Sequence, residues 1–446
     1  MGSIANYNFG GKGVNLVKNP LHLDDAEASQ LQNAEFRPDE ATGGRGALTM
    51  RGGLAALNGS AMTGSVLGMF GWPLKTTFTR TIYAARHTED ANTFRTSSAG
   101  TSWADTSSPA AAAAQAKFAD ENNSRDARRM VTYKQYLVYA GNVYTQDTDN
   151  PVLVIWDGAT AQTIVTIPPG PSGNGSPPFA ITDLLAANGK VYVAVHDPGG
   201  TGPDNAGRVL ELDVETGVLR QVATGFGGGT GEMTGGAPAC LAWYQNQIWV
   251  GLNGETTTNG IGKIVRAYPD SDLSKTWTSD VATLVSHVSS LCVFKGDLYA
   301  GTQSSATTGA RISKRTASTA AWTTIVTSGG GAGGSGHYAH MVVDGDTAAY
   351  CVEYFSGGTD IIHILRTTDG TTWSTDRDVD ADDGPDTTNP QLPGGSLIYN
   401  SVVYFTFRSL SASSTDGFIM RRASGVWTKI DTDNILGPIG VLVERS

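Results

Sequence analysis

Apolar residues recur through most of the chain as short runs. Each run is broken by two or three polar residues and followed by a second run centred on an aromatic residue. The clearest copies are LLAANGKVYVAV (184–195), LAWYQNQIWVGL (241–252), LCVFKGDLYAGT (291–302) and LIYNSVVYFTF (397–407). MVVDGDTAAYCV (341–352) and MVTYKQYLVYAG (130–141) are looser, and RTIYAA (80–85) keeps only the second half. Short apolar runs bounded by tight polar breaks predict strands joined as hairpins.

The central aromatics mark a repeat. They are Tyr83, Tyr139, Tyr192, Trp249, Tyr299, Tyr350 and Tyr404, spaced by 56, 53, 57, 50, 51 and 54 residues. A second marker runs in phase: an apolar strand ending in Arg, then a turn, then a Trp. Its copies are FRTSSAGTSW (94–103), IVRAYPDSDLSKTW (264–277), ISKRTASTAAW (312–322), ILRTTDGTTW (364–373) and IMRRASGVW (419–427). VLVIWDGATAQTIV (152–165) and VLELDVETGVLRQV (209–222) keep the strands and vary the signature.

Each unit therefore reads as four short strands. One such meander cannot bury both of its faces, but stacking against like neighbours buries them all. The pattern predicts an all-β fold: a seven-bladed β-propeller over residues 61–446, preceded by an extended N-terminal arm over 1–60 with one short helix. A pair of β-sandwiches also carries regular short strands, although sandwiches rarely show two markers in phase. The last segment, IGVLVERS (439–446), reads as a closing strand laid beside SVLGMFGW (65–72), which would leave no open edge.

Turns between the first and second strands of each unit are tight, and those between the third and fourth mostly so. The loops between the second and third strands and the connections between units are long and rich in Gly, Ser, Thr and Asp, as in HDPGGTGPDNAG (196–207). In an up-and-down meander this trims one face of the disc and elaborates the other, and elaborated faces contact partners. Charged residues make up 16% of the chain and the formal net charge is −11, which disfavours a broad basic surface for nucleic acid. No run of apolar residues is long enough for a membrane span, and no secretory signal is visible at Met1–Lys12, so synthesis in the cytosol is expected. Cys240, Cys292 and Cys351 lie inside apolar runs without metal-ligand spacing and read as buried thiols.

Little catalytic chemistry stands out. TTDGTTW (367–373) is close to the Asp-box turn of sialidase-like propellers, with Asp369 capping a tight turn at Gly370 and Trp373 packing into the blade. That box is structural. FRTS (94–97) lacks the arginine pattern of a sialidase, and no carboxylate pair can be nominated for glycoside cleavage. In DRDVDADDGPD (376–386), Asp378, Asp380 and Asp382 have the spacing of a calcium loop, but Asp383 replaces the required Gly and Asn389 the twelfth-position Glu. A solvated acidic loop is the simpler reading, with Ca²⁺ left open. The histidines are scattered, His337 and His340 being the only close pair. No catalytic, cofactor-binding or metal-binding residue is nominated.

The first sixty residues break the repeat. Leu23 precedes Asp24, a good cap for a helix over Asp25–Ala34 with Glu27 at its third position. The apolar positions Leu16, Leu21, Leu23, Leu31 and Phe36 are too few for a core and need a surface to lie on. The order of Gly10, Gly11, Asn15, Pro20, Leu23, Asn33, Gly46, Ala47, Leu48, Arg51 and Gly52 resembles the N-terminal segment of bacteriophage virion proteins, notably the propeller-bearing tail-nozzle or tail-hub proteins of short-tailed phages. The resemblance implies a structural, non-enzymatic subunit of the virion tail, assembled in the host cytoplasm. It also implies a homo-oligomeric ring, commonly sixfold, contacting portal, adaptor or tail proteins, without sequence-specific nucleic-acid binding. A carbohydrate-binding or carbohydrate-cleaving, sialidase-like propeller is the alternative.

Replacing Asp380 with Asn is expected to leave the melting temperature nearly unchanged, as for a surface carboxylate. A calcium-dependent rise in melting temperature that this substitution removes would establish an ion site instead.

Overall fold

The computed structural model describes residues 34–37 and 47–50 and, between 81 and 445, the strands and the short turns that join them. The chain divides into two compact units, Met1–Phe78 and Thr79–Ser446. Every element among the described residues is a β-strand. In the first unit Ala34–Arg37 (β1) runs antiparallel to Ala47–Met50 (β2), with Phe36 opposite Leu48. The expected helix lies outside the described residues except at Ala34, which opens β1 rather than closing a helix. Leu16, Leu21, Leu23, Leu31 and Arg51 also lie outside them.

The second unit is a series of antiparallel meanders. Thr81–Arg86 (β3), Thr93–Ser97 (β4) and Ala104–Thr106 (β5) come first. Ala116–Lys117 (β6), Met130–Tyr133 (β7), Tyr136–Thr145 (β8), Thr148–Trp156 (β9) and Gln162–Thr166 (β10) form the next sheet. Ala180–Ala187 (β11), Lys190–His196 (β12), Gly207–Asp213 (β13) and Val218–Thr224 (β14) follow. Then come Pro238–Tyr244 (β15), Gln247–Leu252 (β16), Gly262–Ala267 (β17) and Thr278–Leu284 (β18). His287–Phe294 (β19), Asp297–Gln303 (β20), Arg311–Arg315 (β21) and Thr323–Thr327 (β22) are joined through one bridge, Gln303 to His337, to Ser335–Asp344 (β23), Ala348–Ser356 (β24), Ile361–Thr367 (β25) and Ser374–Asp378 (β26). Gln391–Tyr399 (β27), Val402–Ser409 (β28), Gly417–Ala423 (β29) and Val426–Ile430 (β30) make the last full meander. Ile439–Arg445 (β31) pairs with β3.

The C-terminal strand lies beside β3, with Val443 opposite Tyr83, while 65–72, the neighbour expected for it, falls outside the described residues. RTIYAA kept only half a repeat because its other half is supplied from the far end of the chain. A strand borrowed in this way gives β3 a hydrogen-bonding partner on the edge that would otherwise stay open.

The marker aromatics all occupy the second strand of their meander, in β3, β8, β12, β16, β20, β24 and β28. The tight turns before those strands use left-handed backbone. Asn188 and Gly189 have φ of 48° and 71°, and Lys295 and Gly296 of 49° and 79°. Two successive positive φ values match the twist of a two-residue hairpin.

The core lies between sheets rather than inside any one of them. Val138, Leu153 and Ile155 pack with Val191, Val193 and Leu210 of the following sheet. Tyr192 and Val209 pack with Leu241 and Ile248. The same sharing joins Trp249 to Leu298, Tyr299 to Cys351, and Tyr350 to Phe405. Alternate residues of a strand point to opposite faces, so each sheet feeds two such layers.

The first strand of each meander lies against the first strand of the next, from β7 through β11, β15, β19, β23 and β27 to β31, which in turn lies against β7. Strands β11, β15, β19, β23 and β27 each carry a register shift against their partners. A bulge leaves one residue unpaired and turns it away from the ladder. Two such residues bond the next sheet's first strand: Thr182 Oγ1 donates to the Pro238 carbonyl at 2.7 Å, and Ser289 Oγ donates to the Tyr338 carbonyl. Beside Thr182, Asp183 Oδ2 accepts the Leu241 N–H at 2.7 Å.

Replacing Asp183 with Ala removes the acceptor for the Leu241 N–H. It is expected to lower the unfolding free energy by roughly 1–3 kcal/mol. Urea titration would read this, and an unchanged midpoint would show that the contact carries no weight.

Candidate functional site

Three sheet junctions in the second half of the chain share one construction. An aromatic of one sheet is covered edge-on by a tryptophan of the next. Ring centroids lie 6.4 Å apart for Trp249 and Trp322, 6.3 Å for Tyr299 and Trp373, and 6.4 Å for Tyr350 and Trp427. A cation stands at each joint, Lys314 Nζ of Tyr299's own meander lying 5.8 Å from that ring's centre. The Arg315 guanidinium stands 5.1 Å from the Trp249 ring centre and 5.7 Å from that of Trp322, and Arg422 stands 5.6 Å from Tyr350. Asp376 then accepts from Arg422 Nε and from Trp427 Nε1, both at 2.7 Å. The two sequence markers are therefore the two halves of one joint.

The marker arginines do not all play the same part. Arg315 stands opposite Leu298 and Arg422 opposite Val403, on faces turned toward the preceding sheet. Arg366 stands opposite Tyr350, on the face turned toward the following sheet. A one-residue offset along a strand reverses the face. Thr367 takes the backward-facing position in that sheet.

Thr367 belongs to the predicted structural turn, and the structure brings Asp369, Gly370 and Trp373 together in it. Asp369 Oδ1 accepts from Thr367 Oγ1 at 3.0 Å and from the N–H groups of Thr371 and Thr372 at 2.8 and 2.7 Å. The two backbone donors, Thr372 before Thr371, hold the Asp369 carboxyl well below the ordinary carboxylate range. The turn docks on the preceding sheet: Tyr299 Oη donates to the Gly370 carbonyl at 3.0 Å, and Lys295 Nζ to that of Thr368 at 2.7 Å. Gly370 has φ of 75°, and a Cβ there would come within 2.2 Å of the Tyr299 hydroxyl. Only glycine fits.

A row of polar side chains crosses the β23–β26 sheet. Tyr338, Glu353, His363 and Asp378 are register partners on successive strands. Tyr338 Oη donates to Glu353 Oε1 at 2.8 Å, His363 Nδ1 lies 3.1 Å from Glu353 Oε2, and His363 Nε2 lies 3.8 Å from Asp378 Oδ2. The row runs from buried Tyr338 to half-exposed Asp378. Both oxygens of Glu353 are occupied, so it satisfies two neighbours rather than waiting for a ligand. At the start of β23, burial first and the nearby His287 second push His337 down to about 4, which keeps its imidazole neutral at pH 7.

The three cysteines are buried and none is in a disulfide. Burial pushes the Cys292 thiol up to about 12, which removes its thiolate character at neutral pH. Among the described residues no group of three or more His, Cys, Asp or Glu side chains is arranged to hold a metal ion. From the acidic run, Asp376 sits in the Arg422 and Trp427 clamp and Asp378 beside His363, while 380–386 fall outside the described residues. Sequence reasoning missed the row and the Asp376 clamp. Both depend on register between strands far apart in sequence, which period-two alternation alone does not specify.

No family model matches the chain, and no curated protein is similar to it. Solved structures are similar at low identity. A protein assigned as a 6-phosphogluconolactonase from Bacteroides fragilis is 12% identical with a TM-score of 0.51, over 84% of this chain and all 100% of that one. A glycoside hydrolase family 74 xyloglucanase from Xanthomonas campestris is 12% identical with a TM-score of 0.47, over 80% of this chain and 52% of that one. The first likeness is one of fold alone and agrees with a propeller-like, all-β architecture.

Gly370→Ala is expected to destabilise the protein by more than 1 kcal/mol, because it combines a left-handed φ with a clash. Tyr299→Phe should recover part of that loss in the double variant, as read by chemical denaturation. The depressed carboxyl of Asp369 adds a pH signature. Its stabilisation is complete above the unfolded value of about 3.9 and is lost as pH falls toward the lower folded value. Asp369→Asn should therefore flatten the acid limb of the stability profile, and an unchanged limb would contradict the turn's role.

Proposed function

We propose that the chain is a seven-bladed β-propeller with an N-terminal arm, acting as a non-catalytic structural subunit of a bacteriophage tail, at a nozzle, hub or tail-tip ring. The cyclic order of first strands, from β7 round to β31 and back to β7, supports seven blades. So does the C-terminal strand standing first in the sheet of β3, β4 and β5.

The observation that carries the functional reading is the N-terminal unit. Positions 10–52, which bear the resemblance to phage tail proteins, all fall within Met1–Phe78, apart from the propeller strands. Its described part is a two-stranded sheet of four-residue strands. A lone pair that short is marginal in water and gains stability by lying on another surface. An assembly arm has that property, and a neighbouring virion protein or a second copy would provide the surface.

The described polar side chains favour the same reading. Asp376 and Arg422 are engaged between sheets, Asp369 within its own turn, and Glu353 within one sheet. The alternative, a carbohydrate-cleaving propeller, draws on the Tyr338–Glu353 hydrogen bond, since a tyrosine beside a carboxylate can serve as a nucleophile. Tyr338 is only 1% exposed, which closes it to a sugar ring in this arrangement.

Deleting residues 1–55 should leave a folded propeller that no longer enters particles, measured by mass spectrometry of purified virions from a complemented phage. Normal incorporation of the truncated chain would overturn the arm's role. Turnover of a sialoside or other glycan, abolished by one Asp or Glu substitution, would overturn the non-catalytic reading.

A further inference from the structure

The outermost strand of each meander has an edge to which no other strand pairs among the described residues. Such edges template pairing with another chain, and proteins guard them with charge. Five of the outer strands follow that rule. Strand β5 carries Asp105, β14 carries Arg220, β18 carries Asp280, β26 carries Asp376, Arg377 and Asp378, and β30 carries Lys429.

The other two break it in the same way. Strand β10 reads QTIVT and β22 reads TTIVT, with no charge in either. The shared TIVT is β-branched throughout, the composition that best fits a pleated strand. Thr163, Thr166, Thr324 and Thr327 are exposed. The match is not a property of the repeat, because the remaining outer strands share neither its residues nor its neutrality.

We infer that β10 and β22 are the two halves of a self-association surface, the β10 edge of one copy pairing with the β22 edge of the next to continue the sheet between subunits. The occupant is a second copy of this chain, since the two edges offer each other equal length, matching residues and no charge to repel. They also belong to different sheets, placed second and fifth in the series. An interface between two different patches is head-to-tail, closing into a ring where the rotation between subunits permits and otherwise extending as a filament. This deepens the structural-subunit reading and rests on it only for the identity of the final assembly.

The test uses the full chain and two variants, Thr163→Lys with Thr166→Lys and Thr324→Lys with Thr327→Lys, all at exposed positions. Native mass spectrometry and light scattering read the assembly, and unchanged melting temperatures establish that the variants fold. The wild type should be oligomeric and each variant alone monomeric. An equimolar mixture of the two should form one-to-one dimers and nothing larger, because one intact pair of edges remains. A monomeric wild type, oligomers that survive both variants, or dependence on only one edge would overturn the inference. Incorporation into virions is scored separately, so a chain absent from particles that still shows this mixing pattern refutes the phage reading alone.

Discussion

The structure depends on one contact, the covering of an aromatic in one sheet by groups of the next. A four-stranded meander with two apolar faces has no stable existence alone, because each face must be removed from water. Tyr350 shows how this is met. Trp427 meets its ring edge-on, Arg422 stands over it, and Asp376 of Tyr350's own sheet holds both the guanidinium and the indole N–H. A cation over an aromatic ring is worth about 0.5–2 kcal/mol, more when water is excluded. The carboxylate fixes the cation's position and satisfies a donor that would otherwise be buried without a partner. The same logic, with different partners, holds Trp249 under Arg315 and Tyr299 under the Asp369 turn.

This contact explains why the repeat was legible. An aromatic in the second strand and a tryptophan after the third are each needed by a neighbouring sheet, so they recur at nearly constant spacing. The same reasoning explains what was not legible. Arg366 and Arg422 look equivalent in ILRTTDGTTW and IMRRASGVW, yet they stand on opposite faces of their sheets. Residue type carries no record of register, and one residue of slip exchanges the two faces. The closing strand was recognisable as a strand at the end of the chain. Its pairing with β3 was not, because pairing between distant parts of the chain leaves no local signal. The row from Tyr338 to Asp378 was invisible for a similar reason, its members being contributed by four separate strands.

The joints also shape what the protein can do chemically. Catalysis needs charged groups that converge on a space a substrate can enter. Here Asp369 is saturated by its own turn, Asp376 by Arg422 and Trp427, and Glu353 by Tyr338 and His363. Their hydrogen bonds are worth most when undisturbed, because breaking one leaves a desolvated partner behind. Of these, the Asp376 bonds cross from one sheet to the next and add rigidity between them.

Rigidity between sheets bears directly on the neutral outer strands. If sheets could shift against one another, an uncharged edge such as TTIVT would be exposed in many orientations and would associate without order. Ser313 and Thr324 hydroxyls lie 3.4 Å apart across β21 and β22, and Arg315 fastens the same sheet to Trp249 of its neighbour. The edge is thus carried on a sheet whose angle is set by the joint. Held at a fixed angle, an unguarded edge selects one partner geometry among the many that its composition would permit. In this protein the interaction that builds the core and the constraint that would direct assembly are the same.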